Sequence, residues 1–392
     1  MNNAPARLHD TVIECLRQVP WKDACHLDTL AWMVVGLFIS GTIHISCWIC
    51  YVRSRARQVQ SVERRMRRWL GNRHIDVNGL FGALVQALLA DSDPRRLWLV
   101  LDTMVLWNRF CVIQVALVFR DRALPLAWRV LAKPSASVRF EEYRPILAQV
   151  AGWLSGREVV LLADRGFCHL QLVRWLKRQP NWHGRIRLKG NVKIDRWTGK
   201  LYQTMRCQVR AGEVAFWHRV YLWRVHEEAH VAVGWERGAK EPWMIWCDDR
   251  ADGEILADYG QRFTIEEGFL DAKSNGFGWE DSKLRDTSAL QRLCFVMAVA
   301  TWVLICQGCE VVDAGLRRRV DPHWRRGLSY ARIGWRWVHY ALSRGEALIE
   351  HLFLPATEDP APVPTAKDRS RWMDPLPEWF HFCIPNSYKE LI

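Results

Sequence analysis

Apolar residues along this chain repeat with two different periods, and the change from one to the other divides it. Up to about residue 90 the pattern is helical. Leu30 to Val52 form a run of 23 residues without a formal charge, comparable to the roughly 20 apolar residues that span a bilayer. Gly36, Ser40, Gly41, Thr42, His44 and Ser46 interrupt its apolar surface. The run is therefore read as a buried helix or helix pair, with a membrane span as the rival. A further helix is predicted over Ser54 to Leu70. At about 100° per residue, Arg53, Arg57, Arg64, Arg67 and Arg68 share one stripe, and Val59, Val62, Met66, Trp69 and Leu70 fall opposite.

After Asp93 and Pro94 the texture changes to strands. Arg96 to Leu101, Phe110 to Phe119 and Leu124 to Leu131 are apolar runs separated by polar and turn residues, as in an antiparallel meander. A helix from Arg139 to Leu154, a strand from Glu158 to Ala163, a helix from Cys168 to Arg178 and a strand from Gly184 to Leu188 follow. Between Asn191 and Asp249 the sequence alternates and is rich in aromatics (Ala215 to Val225, His230 to Trp235, Pro242 to Cys247), which reads as a small inserted β module. Helices resume at Gly253 to Lys273 and Thr287 to Cys306. The order β-β-β-α-β-α-β, then an insertion, then a helix, predicts an α/β fold with an RNase H-like (retroviral-integrase-type) core.

Charge adds a partner to this scheme, with nucleic acid and an anionic membrane surface as the two candidates. The 392 residues carry a formal net charge of +13, and the excess is clustered. Residues 53–73 hold eight Arg and one Glu, 177–200 eight basic residues and one Asp, and 317–336 seven Arg and one Asp. The remainder of the chain is net acidic, and local potential is what attracts phosphate. The five-arginine stripe thus suggests backbone contact with DNA. The expected organisation is a helical DNA-binding region (1–95), a first core segment (96–190), the β module (191–249), a second core segment (250–313) and a basic C-terminal region for dimerisation or DNA contact (314–392). The Pro-rich stretch Pro355 to Pro364 reads as a linker. Met1 to Gln18 has acidic residues and no apolar stretch, so no signal peptide is expected. The 12 Cys are scattered and read as reduced, buried thiols rather than zinc ligands, including the spaced pairs Cys47/Cys50 and Cys306/Cys309.

Three acids stand where this fold would concentrate chemistry. Asp102 closes the first predicted strand, Asp164 the fourth, and Glu266 lies on the helix after the insertion. Neighbouring strand ends can bring two carboxylates together, and a helix packed across the sheet can supply a third. Three converging oxygen donors suit magnesium or manganese. A pair of such ions activates an attacking water or 3′-hydroxyl and stabilises the leaving oxygen of an in-line phosphoryl displacement. Tyr259, Arg262, Glu266 and Lys273, at offsets of 3, 7 and 14, would share about 60° of helix arc.

The spacing Tyr259-x2-Arg262-x3-Glu266-x6-Lys273 resembles the Tyr-Arg-Glu-Lys signature of bacterial insertion-sequence transposases of the DDE superfamily. Asp164-Arg165-Gly166-Phe167 looks like that family's motif around its second catalytic Asp, and Asp102-Thr103 like the first. The resemblance covers roughly residues 96–310, and the 102 residues between Asp164 and Glu266 leave room for the family's β insertion. It implies that Asp102, Asp164 and Glu266 hold two Mg2+ ions, which Mn2+ can replace. It implies phosphate contacts near the transposon end for Arg262, Lys273 and Tyr259, with Arg165 beside them. It also implies a tryptophan stacked on a flipped base, for which Trp217, Trp223, Trp235, Trp243 and Trp246 are candidates.

The function expected from this resemblance is binding of terminal inverted repeats and cut-and-paste cleavage and transfer of DNA strands, by a homodimer in the synaptic complex. The partners would be double-stranded transposon ends and target DNA, in the bacterial cytoplasm near the nucleoid and without stable membrane association. The alternative is a catalytically inactive, transposase-derived DNA-binding protein. Arg53, Arg57, Arg64 and Arg68 are the expected N-terminal DNA contacts.

Overall fold

The computed structural model of the chain describes residues 4–54, 56–90, 96–120, 122–197, 202–205, 209–223, 225–263, 277–355 and 359–362. Ten strands form one sheet: β1 (Arg96–Leu106), β2 (Phe110–Phe119), β3 (Arg122–Leu131), β4 (Glu158–Ala163), β5 (Trp182–Arg187), β6 (Ile194–Trp197), β7 (Tyr202–Met205), β8 (Val214–Leu222), β9 (Glu227–Gly234) and β10 (Trp243–Cys247). They lie in the order β3-β2-β1-β4-β5-β10-β9-β8-β6-β7. β1 to β3 are an antiparallel meander, whereas β4 joins β1 and β5 joins β4 in parallel.

The predicted insertion does not build a sheet of its own. β10 pairs antiparallel with β5, and β9, β8, β6 and β7 continue outward from it. The reason is an edge: β5 ends a parallel row with unpaired backbone groups, and Trp243 to Cys247 is apolar enough to be buried there on both faces.

Alternation along the strands assigns their side chains to two faces. Leu97, Leu99 and Leu101 of β1, with Val159, Leu161 and Ala163 of β4, belong to the main core, which also holds Leu147 and Val150 of the helix Phe140–Trp153 and Leu172 and Leu176 of the helix Leu170–Leu176. Val100, Val160 and Leu162 point the other way into a smaller cluster. Further along that second face, the helix Gly253–Gly260 packs through Ile255, Leu256 and Tyr259 onto Ala232, Trp243, Ile245 and Cys247.

The free edge of the meander is closed by the helix Thr287–Asp313, which runs along β3. Its Gln291 side chain accepts from the Val130 amide at 3.0 Å and donates to the Trp128 carbonyl at 2.8 Å, replacing a missing strand neighbour. Trp302 donates to the Pro125 carbonyl at 2.9 Å near the far end. This helix is long and apolar enough to cross a membrane, but 89% of its apolar stretch is buried inside the protein. The N-terminal helices sit behind it, with Trp21, Trp69 and Phe81 all ringing Phe295 at centroid distances of 5.8–6.3 Å.

Within that N-terminal layer, the uncharged run is a helix pair: Ala24–Ser40 and Ile45–Tyr51 meet at 90°. The turn depends on Gly41, which caps the first helix at φ 67°, a left-handed conformation open to glycine. The basic helix is shorter than predicted, Val59–Gly71. Arg53 and Arg57 precede it, so they are not on its stripe, and Val59 is 60% exposed rather than buried. Cys306 and Cys309 are buried thiols as expected, whereas Cys47 and Cys50 are exposed.

The helix Tyr330–Arg344 crosses Thr287–Asp313 at two glycines. A Cβ on Gly334 would collide with the Leu304 carbonyl and one on Gly308 with the Tyr330 carbonyl, so the two backbones are in contact. Gly334→Ala must therefore separate the helices, and it should lower unfolding free energy by about 2 kcal/mol. Urea denaturation with the exposed control Gly152→Ala measures the difference; equal midpoints for Gly334→Ala and wild type would contradict the packing argument.

Candidate functional site

The parallel register of β1 and β4 ends at Leu101↔Ala163, and the next residue on each strand is an aspartate. Asp102 and Asp164 therefore occupy neighbouring positions on strands about 4.8 Å apart, and alternation puts both on the second face. β1 does not stop at Asp102 as the sequence suggested; it runs four residues further, paired to β2 alone. What ends at Asp102 is the parallel pairing, because β4 turns away at Asp164 into the short helix Arg165–Phe167.

Each carboxylate is held from its own backbone. Asp102 Oδ1 accepts from the Thr103 amide at 2.7 Å, and Asp164 Oδ1 from the Gly166 amide at 2.7 Å, as the cap of that short helix. Gln114 stands opposite Asp102 on β2 and is buried. On β5, by the β4–β5 register, Arg187 follows at the level of Asp164. Across β2, β1, β4 and β5 the second face thus presents Gln, Asp, Asp and Arg in one row. Arg187 and Arg165 share Glu241, at 3.0 and 2.7 Å.

Arg262 reaches this row from the segment after the helix Gly253–Gly260. Its Nη1 lies 3.1 Å from Asp102 Oδ2, and the two side chains are only 8% and 16% exposed. Phe263 and Tyr259 wall the guanidinium at 4.5 and 5.9 Å from their ring centres. The site thus pairs an acidic row with a resident cation, largely out of water.

Several expected positions differ. The helix predicted over Gly253 to Lys273 ends at Gly260 and tightens into a 3-10 turn, Gln261–Phe263. Tyr259 and Arg262 do share a side, but it faces the sheet. Tyr259 is fully buried against Trp243 and Arg262 nearly so, so neither presents a surface to a DNA backbone in this conformation. Glu266 and Lys273 lie outside the described residues. Arg165 is exposed and paired with Glu241. Trp243 and Trp246 are buried, which removes them as stacking candidates; Trp217, Trp223 and Trp235 are half-buried.

A second polar group underlies the same face and was missed in the sequence. Arg185, only 1% exposed, is bonded to Asp249 at 2.7 Å and to Asp258 at 3.2 Å, and Asp258 also accepts from the Trp98 indole at 2.7 Å. Burial pushes the Asp258 carboxyl upward although Arg185 and Trp98 oppose it. Burial also works against Asp249, yet the Arg185 guanidinium holds that carboxyl below the usual range. Together these bonds fasten the helix leading to Arg262 onto β1 and β5. Alternation alone could have found Arg185, since an arginine flanked by inward Gly184 and Ile186 must point to the other face.

Among the described residues, the three side chains with metal-ligand atoms within 4.8 Å of one another are His183, Asp248 and Asp249. His183 is four residues before Arg187 on β5, hence about 13 Å from the aspartate row. Their atoms are already engaged: Asp248 with the Gly184 amide at 2.8 Å and His183 at 2.8 Å, Asp249 with His183 at 3.0 Å and with Arg185. The cluster is part of the ion network that anchors the helix.

Comparison with known families settles the class. The family described as "Transposase DDE domain" matches residues 108–303, half of the chain. The chain belongs to the DDE transposases. Membership implies a DNA-cleaving enzyme, of a family that generally uses divalent metals. In this transposase the matched span includes Asp164 and begins six residues after Asp102. No curated protein matches it in sequence. Among solved structures it is similar to the piggyBac transposase in its synaptic complex with hairpin DNA, at 11% identity and a TM-score of 0.43, over 97% of this chain and 85% of that one.

Arg185→Met leaves Asp249 and Asp258 without their shared cation in a buried setting. Stability should fall by about 3–5 kcal/mol, read by chemical denaturation, whereas Arg219→Met at an exposed pair should cost almost nothing. A small loss at Arg185 would mean that the network does not hold the helix.

Proposed function

We propose that this transposase binds the terminal inverted repeats of an insertion sequence and cuts and rejoins DNA with Asp102, Asp164 and Glu266 holding two Mg2+ ions. One observation carries the reading: the β1–β4 register brings two aspartates, 62 positions apart, to adjacent places on one face. The strand order β3-β2-β1-β4-β5, with its antiparallel meander and two parallel additions, supports an RNase H-like core around them. The donors are carboxylate oxygens at the end of the parallel pairing, a set that suits hard divalent ions.

The metal ions would supply activation of water or a 3′-hydroxyl and stabilisation of the leaving oxygen. The chain's own residues do the rest. The Thr103 and Gly166 amides fix one oxygen of each aspartate and so preset the direction of the others. Arg262 is the counter-charge of Asp102. The basic helix contributes Arg64 and Arg68, exposed beside a surface groove lined by Ser61, Arg64, Arg67 and Arg68, for backbone phosphates; Arg53 and Arg57 precede it as exposed cations. Arg165 flanks Asp164. The strand-transfer step, the homodimeric synapse and a bacterial cytoplasmic setting belong to the same reading.

Asp102→Asn and Asp164→Asn should each abolish Mg2+-dependent cleavage of a terminal-repeat duplex while leaving its binding in EDTA within about threefold of wild type; cleavage by Asp164→Asn would refute the assignment. Binding should weaken steeply as salt rises, and the slope should drop by about one for each of Arg64→Gln and Arg68→Gln. Arg262 gives an independent test without DNA. With the guanidinium removed, Asp102 retains its full charge for a metal, so Arg262→Met should bind Mn2+ about tenfold more tightly by calorimetry, about 1.4 kcal/mol. Unchanged affinity would show that Arg262 is not the counter-charge of the site.

A further inference from the structure

Beyond the aspartate row, the loop joining Thr287–Asp313 to Tyr330–Arg344 combines rigidity with an exposed aromatic. Trp324 is 81% exposed, the largest exposure among the large hydrophobic side chains described. Such exposure forfeits the burial of a large apolar surface, and a mobile loop could fold the ring inward. This loop is fixed. Asp321, with no exposed surface, accepts from Arg317 at 2.9 Å, the His323 ring at 2.6 Å and the Gly327 amide at 3.0 Å. Arg317 also donates to the His323 and Trp324 carbonyls at 3.1 and 2.9 Å. Arg326, buried on the other side, anchors to Asp359 at 3.0 Å.

The indole therefore stands outward on a preset frame, with one cation against it and another next in sequence. The Arg318 guanidinium lies 5.1 Å from the ring centre, and Arg325 next to it is exposed. Arg317 and Arg326 are consumed by the frame and Arg319 by Glu346 at 3.0 Å. Arg318 and Arg325 remain for a ligand, with Asp321 sealed inside. An outward indole with the Arg318 guanidinium over its ring, and the exposed Arg325 beside it in sequence, matches a base flanked by phosphates.

We infer that Trp324, Arg318 and Arg325 form a binding site for single-stranded DNA, with one unpaired base stacked on the indole and adjacent phosphates on the two arginines. An unpaired base is required because both faces of a base inside a duplex are occupied by its neighbours. The site is separate from the aspartates. The loop follows Asp313, which pairs with Arg120 at the β2–β3 turn, while Gln291 meets β3 at the level of Asp102; 22 residues of helix make that about 33 Å. It rests on the transposase reading only in taking DNA as the polyanion.

The test is fluorescence anisotropy with a labelled oligo(dT) strand and a matched duplex, in EDTA, with the full chain. Trp324→Ala should lower single-strand affinity about tenfold and Trp324→Phe by less than about threefold, with the duplex little changed by either. Arg318→Gln with Arg325→Gln should reduce the salt slope by about 1.4 for the single strand. Wild-type single-strand affinity in Trp324→Ala would overturn the inference. So would loss of self-association on sedimentation with DNA binding intact, which would assign the loop to a second copy of the chain. Asp164→Asn should bind the strand as wild type does, so failure of the catalytic assignment registers in the cleavage assay and not here.

Discussion

The site rests on the parallel pairing of β1 with β4. Parallel strands cannot be joined by a hairpin, so β2, β3 and the helix Phe140–Trp153 lie between these two strands in the chain. Its register fixes more than neighbourhood. A slip of one residue would turn Val160, Leu162 and Asp164 to the face now filled by Val159, Leu161 and Ala163, burying a carboxylate in the main core. The apolar alternation that stabilises the sheet is thus the same constraint that directs both aspartates outward.

Among the described residues, one helix covers part of that face and also positions its cation. The helix Gly253–Gly260 lies over β5, β10 and β9, fastened by Asp258 to Arg185 and Trp98. It then ends at Gly260, and the turn that follows sends Arg262 to Asp102. Two arginines thus perform opposite tasks on one face. Arg185 is enclosed by acids and serves as a structural cation, whereas Arg262 meets the slightly exposed carboxylate of Asp102. Burial decides between these roles: the more enclosed an ion pair, the greater the penalty for parting it.

Local pattern made much of this legible. The five strands of the first core segment and the helices between them follow from period, and Asp102 and Asp164 attract notice because an acid succeeds an apolar strand. Contacts between distant segments were not legible. Nothing within Trp243 to Cys247 says that it pairs with β5, so the insertion looked like a module of its own. Tyr259 and Arg262 were assigned to a DNA-facing stripe because helix phase says which residues share a side, not which way that side points. Trp98, an ordinary strand residue by composition, gains its role only from an aspartate 160 positions later.

The geometry also ties the basic helix to the aspartate row without a flexible joint. Asp102 pairs across to Gln114, and Gln114 to Trp128. Trp128 bonds to Gln291 at 2.9 Å and meets Phe81 at 4.9 Å. Phe81 and Trp69 both pack on Phe295, and Trp69 is on the buried side of the helix whose exposed side carries Arg64 and Arg68. Every link is a buried ring or a backbone bond, so the arginines are referenced to the carboxylates through packed core rather than through a linker. On the proposed function, a duplex held by those arginines would lose little further freedom in reaching the acids, because the ordering cost was met when the chain folded. On the same reading, sharing a core between the N-terminal helices and the sheet would fix where along a bound duplex the aspartates act.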